Sequence, residues 1–250
     1  MGSPEDELGR YDDETQHPVT LTEDFYVGVF EVTQKQWERV MGTWPSYFEN
    51  ATYRDIRPVE QVCYDDIRGS NTGTGSPANN AVDADSFLGR LRAKTSLTFD
   101  LPTEAQWEYA CRAGTTTALN SRKNLTSRIS CQNLTEVGRY GYDGDEYCSS
   151  DVDVSAGTDK VGSYLANQWG LYDMHGNVLE WCLDWYQQEL GISARTDPQG
   201  GATDGSTRLR IIRGGGWFFS ALVCRSAYRN GSSSSNQSNT RGFRLVRIVP

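Results

Sequence analysis

The chain has 250 residues, 37% hydrophobic and 11% aromatic, with a formal net charge of −9. That composition is of a folded protein rather than a disordered one, and its acidic balance argues against general nucleic-acid binding, which needs basic surface. No run of about 18 apolar residues occurs, so no transmembrane segment is expected.

Residues 1–17 are acidic and polar and read as a mobile N-terminus, with the opening MGSPEDELGR resembling a remnant of expression and the domain beginning at residue 18. No signal peptide is visible. Phe25 to Val32 has strand propensity. Thr33 then caps a short helix, Gln34 to Met41, which Gly42 ends. Arg57 to Val62 is extended, because the residue before a proline avoids the helical region. Residues 71–80 form a Gly/Asn/Thr/Ser loop, and Asp83 to Lys94 reads as an amphipathic helix with Phe87, Leu88 and Leu91 on one face.

Thr103, with Gln106 three residues on, makes a capping box for the next helix. Trp107, Ala110 and Cys111 share a face of it and Gly114 stops it, while Glu104 and Glu108 are expected to favour its N-terminus and face solvent. From Thr115 to Asn167 no period is sustained, and a stretch that irregular often carries function. Within it Asp143, Asp145, Glu146, Asp151 and Asp153 form an acidic cluster read as a solvated loop. Trp169 to Asn177 is a turn, and an alternating strand follows with Leu179, Trp181, Leu183 and Trp185 on one side and Val178, Glu180, Cys182 and Asp184 on the other. Leu209 to Arg213 is a further strand, and Gly242 to Val246 reads as a terminal one.

The six cysteines include no CxxC pair, which disfavours a zinc knuckle. Cys111 and Cys182 read as buried thiols, and Cys131 and Cys148 as a candidate disulfide. Two histidines, His17 and His175, leave little room for a histidine-based triad or metal site.

The segment from Arg213 to Arg244 has fixed-looking ends and a free-looking middle. Gly214, Gly215 and Gly216 precede Trp217, whereas the Ser/Asn run from Ser232 to Asn239 cannot build a core. Residues 205–250 hold eight arginines and no acid, leaving a formal −17 on the rest of the chain. Arginine tolerates burial when its planar fork finds carboxylates or carbonyls, so Arg213, Arg225, Arg229 and Arg244 are expected to clamp this segment to the acidic remainder.

Three stretches stand together: LPTEAQWEYACRAG at 101–114, NQWGLYDMHGNVLEW at 167–181, and RGGGW…CRSAYR…GFRLV at 213–246. Their identity and order resemble the formylglycine-generating-enzyme, or sulfatase-modifying-factor, family over residues 18–248. The resemblance implies a single α+β domain with a C-type-lectin-like fold: short helices, small antiparallel sheets and much irregular loop. Oxidases of that family use two cysteines to bind copper; here Cys224 matches the second, Phe219 falls on the first, and Gly216 replaces a serine. A formylglycine-generating copper oxidase is thus the alternative reading, and a non-catalytic protein the main one.

The end of the chain resembles instead the variable proteins of diversity-generating retroelements. Their skeleton is matched by Trp217, Ala221, Cys224, Arg225, Ala227, Arg229, Asn230, Gly242, Phe243 and Arg244. The variable slots, expected to bind ligand, are Phe218, Phe219, Ser220, Leu222, Val223, Ser226 and Tyr228, then Gly231, Ser232, Ser233, Ser235, Asn236, Ser238, Asn239 and Thr240. These systems mutate template adenines, and the slots hold residues reachable that way (Gln237 is an exception) without Lys, Glu or Met. The resemblance implies a variant-dependent macromolecular partner, a monomer, and display at the cell surface or export, with a cytoplasmic location also open. No cofactor is required; calcium is possible at Asp173, Gly176, Val178 and Glu180, which match positions where family members hold it.

Overall fold

The computed structural model describes residues 1–49, 51–70, 81–143, 146–147, 157–200 and 209–249, with the backbone alone at 142–143 and 146–147. Its centre is the strand β5 (Leu179–Trp185), after short strands β1 (Val19–Thr20), β2 (Phe25–Val27), β3 (Tyr142–Asp143) and β4 (Glu146–Tyr147). Among the described residues five α-helices precede it: α1 (Gln34–Met41), α2 (Tyr64–Arg68), α3 (Phe87–Thr95), α4 (Glu104–Arg112) and α5 (Gln132–Thr135). After it come β6 (Arg195–Thr196), β7 (Leu209–Arg213), β8 (Arg229–Ser233), β9 (Arg241–Gly242) and β10 (Val246–Ile248).

The main sheet has the order β8-β7-β5-β9, with β9 parallel to β5 and the other pairs antiparallel. Both faces of β5 are buried, which explains its apolar residues on one side and its tightly partnered polar ones on the other. Leu179, Trp181 and Leu183 join the principal core with Trp37, Ile67, Phe87, Leu88 and Phe243. Cys182, on the opposite face, packs with Trp107, Cys111 and Ile211. A third cluster of Leu119, Leu125, Leu134, Val137 and Tyr140 holds Ala221 and Cys224. The irregular stretch after α4 thus builds a small core beneath the C-terminal segment.

The capping chemistry of α1 and α4 appears as expected: Thr33 with Gln36 and Thr103 with Gln106 form reciprocal boxes. Helix α3 starts later than residue 83 because Ser86 accepts the Gly89 N–H and so sets the N-cap. The strand expected over 25–32 is confined to β2, and that expected over 242–246 divides into β9 and β10, which pair with different partners.

Two expectations are corrected. Glu104 and Glu108 do not face solvent; both are buried, at the ends of the arginines described below. Residues 1–17 are not loose. Ser3 bridges to Thr15, the Ser3 hydroxyl donates to Glu14, and the Gly2 N–H donates to Glu108 at 2.8 Å. Gly2 has φ +88°, and a Cβ there would meet the Thr15 carbonyl oxygen at 2.6 Å, so the glycine is demanded by the fold.

Candidate ligand-binding face

After β7 the chain turns through Gly214 and Gly215, both at positive φ. A Cβ on Gly215 would lie 2.4 Å from the Cys224 sulfur, so only glycine lets the returning 221–224 turn pack there. Trp217 closes the loop at both ends: its backbone N–H donates to Asn177 at 2.8 Å and its indole N–H to the Asn239 carbonyl at 2.9 Å. Between these anchors the main chain is held by main chain. Ala221 donates to Ile129, Leu222 to Arg128 and Ser226 to Ala118, all at 2.8–3.0 Å. Those bonds do not depend on slot side chains.

The four arginines clamp the segment as expected. Arg213 pairs with Glu108 at 2.5 Å and donates to the carbonyls of Ala227, Tyr228 and Ser226. Arg225 meets Glu7 and Glu14 and donates to the carbonyls of Gly9 and Leu222. Arg229 grips Glu104 with two bonds of 2.7 and 2.8 Å, and Arg244 grips Glu180 with bonds of 2.6 and 2.7 Å. Planar forks in buried bidentate pairs account for arginine rather than lysine here. Burial alone would raise the Glu108 pKa, but Arg112 and Arg213 outweigh it and hold it at about 2. His175 lies under the segment, its Nδ1–H donating to the Cys224 carbonyl at 2.7 Å while Nε2 accepts the Asn120 N–H. Burial lowers its pKa to about 4, so the ring is neutral.

Against this frame the slots divide. Phe218 is 42% exposed, and Ser233, Ser235 and Asn236 are also exposed. Phe219, Leu222, Val223, Tyr228, Gly231, Ser238 and Asn239 are half-buried, with Phe219 packed against the principal core. Ser220, Ser226, Ser232 and Thr240 are buried, so their expected display is corrected. Ser226 shows the reason: its hydroxyl donates to the Ala118 carbonyl at 3.0 Å and lies 3.6 Å from the Cys111 thiol.

Two fixed neighbours escaped the sequence reading. Tyr11 stands edge-on to Tyr228 with centroids 5.8 Å apart, and Phe48 stands edge-on to Trp217 at 5.1 Å. Tyr47, beside Phe48, is among the exposed aromatics. Tyr11 lies in the polar, aperiodic opening of the chain, which carries no signal of a partner 217 residues away.

At the positions considered for calcium, both Glu180 oxygens are taken by Arg244, one of them also by the Trp107 indole N–H. Asp173 accepts the Gly162 N–H through Oδ2, and burial lifts its pKa to about 6. Its Oδ1 is buried without a hydrogen-bond partner. Val178 donates its N–H to Glu31. A cation using Glu180 would have to displace the guanidinium of Arg244, so this set as it stands does not fit calcium. Among the described residues no group of three or more His, Cys, Asp or Glu is arranged to hold a metal ion. Cys131 is a buried free thiol receiving the Thr126 N–H; its suggested partner Cys148 lies outside the described residues, as do the 71–80 loop and the side chains of the acidic cluster at 143–153.

Short helices, small sheets and an arginine-clamped C-terminal loop define a lectin-like scaffold with an open face at the C-terminal segment. The chain belongs to the family of the sulfatase-modifying factor enzyme 1-like domain, whose model matches residues 1–249. It is 33% identical over 252 residues to the chaperone protein LppX of Paenibacillus barcinonensis, covering 92% of this chain and 81% of that one. It is 29% identical over 245 residues to the serine/threonine-protein kinase pkn1 of Chlamydia caviae, of which it spans 35%. Among solved structures it is similar to Treponema denticola variable protein 1, with a TM-score of 0.74 and 26% identity, covering all of this chain and 94% of that one. Among the described residues no helix is long and apolar enough to cross a membrane.

Proposed function

We propose that this chain is a non-catalytic ligand-binding variable protein, its segment 213–244 diversified by a retroelement to meet macromolecular partners that differ between variants. The carrying observation is the division of roles: of the skeleton, Trp217, Ala221, Cys224, Arg225, Ala227, Arg229, Gly242, Phe243 and Arg244 are buried and Asn230 alone is exposed, while Phe218, Leu222, Val223, Tyr228, Ser233, Ser235 and Asn236 reach the surface. The likeness to a Treponema variable protein supports the same reading. Rigid aromatics such as Phe218 and Tyr228 serve as anchors and the serines as adaptable polar contacts. An open face of scattered slots suits a macromolecule better than a small molecule, which needs a concavity. The reading includes export or surface display, and it needs no cofactor.

A copper oxidase acting on substrate cysteines is disfavoured by this chain's own residues. Phe219 stands where the first thiolate belongs, and Cys224 is buried against Gly215. Soft Cu(I) binding with two thiolates has one donor here.

Sequencing the 3′ end of the gene across isolates tests the proposal. Substitutions concentrated in codons 218–240, with the skeleton constant, support it. Variation no greater than in the rest of the gene refutes it.

A further inference from the structure

Away from the 213–244 face, the principal core opens to the surface where α1, α3, β2 and β10 meet. The cavity there measures 460 Å³. Its floor is Val32 and Phe87, both buried core residues. Val40, Leu91 and Phe99 pack on that core yet remain half-exposed. Tyr26 and Phe30 stand at its sides, 59% and 39% exposed. Leaving this much apolar surface wet is unfavourable, and such surfaces usually mark contact sites.

Charge specifies the contact further. No Asp or Glu lines the groove, although acids outnumber bases in the chain by 33 to 24. Two arginines do line it: Arg39 in the last turn of α1, and Arg247 on β10, whose guanidinium lies 5.8 Å from the Tyr26 ring centre. Among the described residues neither takes part in a salt bridge, unlike Arg213, Arg225, Arg229 and Arg244. The groove therefore joins an apolar floor to an unneutralised cationic rim.

We propose that this groove binds the anion of a single-chain amphiphile, a fatty-acid carboxylate, with the alkyl chain on the Leu91–Phe99 floor and the carboxylate at the arginine rim. The volume is that of a small-ligand pocket. A second copy docked groove to groove would bring the same two arginines against the first pair, and like charges oppose that contact. The site is independent of whether residues 213–244 are diversified.

Laurate below its micelle concentration is the probe, titrated by calorimetry, with uncharged dodecyl maltoside as the comparator of equal chain length and butyrate as the short anion. One-to-one saturable laurate binding is expected, with both comparators weaker by about tenfold or more. The Arg39→Gln/Arg247→Gln variant should weaken laurate about tenfold while keeping its melting temperature to within a few degrees, because Arg39 is exposed and Arg247 is half-buried against the exposed Tyr26 ring. Non-saturable uptake, equal binding of the maltoside, equal binding of butyrate, or unchanged affinity in the double variant would each overturn the proposal. So would a concentration-dependent dimer that excludes laurate from the groove.

Discussion

Arg225 and Glu14 are separated by 211 residues in the chain and meet as a buried ion pair with contacts of 2.6 and 2.7 Å. Glu7 adds a second carboxylate to the same guanidinium. The first seventeen residues are thus part of what holds the candidate binding segment in place. Removing both carboxylates leaves the buried guanidinium uncompensated. The Glu7→Ala/Glu14→Ala variant should therefore cost about 3–5 kcal/mol in urea unfolding. A loss below about 1 kcal/mol, the value of a surface pair, would mean that these two acids give the segment no support.

Trp217 and Phe218 are adjacent and should behave oppositely. Trp217→Ala removes a buried ring and its indole N–H bond to the Asn239 carbonyl, and should cost about 3–5 kcal/mol. Phe218→Ala should cost clearly less, about 1 kcal/mol, because its ring is 42% exposed and touches the Trp217 ring without joining the core. Thermal melts of the two variants separate scaffold from display; similar losses in both would place Phe218 in the core.

The buried slots limit what diversification can do. At Ser220, Ser226, Ser232 and Thr240, tolerated substitutions should be small: Ala, Gly, Ser or Thr. Ser226→Leu should destabilise by about 1–3 kcal/mol through overpacking beside Cys111. Natural variants carrying Phe or Tyr at 226 with undiminished melting temperatures would show that this pocket is larger than it is here.

Asp184 sets a pH dependence. Burial first, then the charge of Glu104, raises its pKa to about 7 from the ordinary 3.8, although the N–H groups of Glu104 and Gly200 pull it back. A raised folded pKa means the native state keeps its proton longer than the unfolded chain. The resulting stability is fully present below pH 3.8 and is lost as pH rises through about 7. Glu60, also raised to about 7 by burial, acts in the same sense. Relative to Asp184→Asn, the wild type should therefore lose up to about 4 kcal/mol between pH 4 and pH 8 in denaturant titrations. Parallel pH profiles for the two proteins would show Asp184 ionised throughout.

Calcium should leave the fold unchanged. With Glu180 held by Arg244, adding millimolar calcium or a chelator is expected to shift the melting temperature by less than about a degree. A rise of several degrees would show that Asp173 and Glu180 can be recruited away from their present partners.

Much of the local structure was legible because its causes are local. Thr33 with Gln36, and Thr103 with Gln106, announce helix starts within four residues, and the alternation from Leu179 to Trp185 announces a strand. The segregation of eight arginines into the last 46 residues also announced a clamp. Glu104 and Glu108 show where such reading stops. On a capped helix they resemble solvent-facing acids, and nothing within the helix reveals that Arg229 and Arg213 approach from more than 100 residues away.

The sequence by itself pointed to the family, the helix caps and the presence of unpaired charge on both sides of a future clamp. Only the tertiary structure decided which carboxylate meets which arginine, that residues 1–17 belong to the domain, and that Ser220, Ser226, Ser232 and Thr240 turn inward. The physical reason is the same in each case. A helix or strand repeats its direction, so its buried face follows from spacing. The path from Trp217 to Thr240 repeats little, and the exposure of each side chain there depends on the distant backbone, such as Ala118, Arg128 and Ile129, against which the loop is hydrogen-bonded.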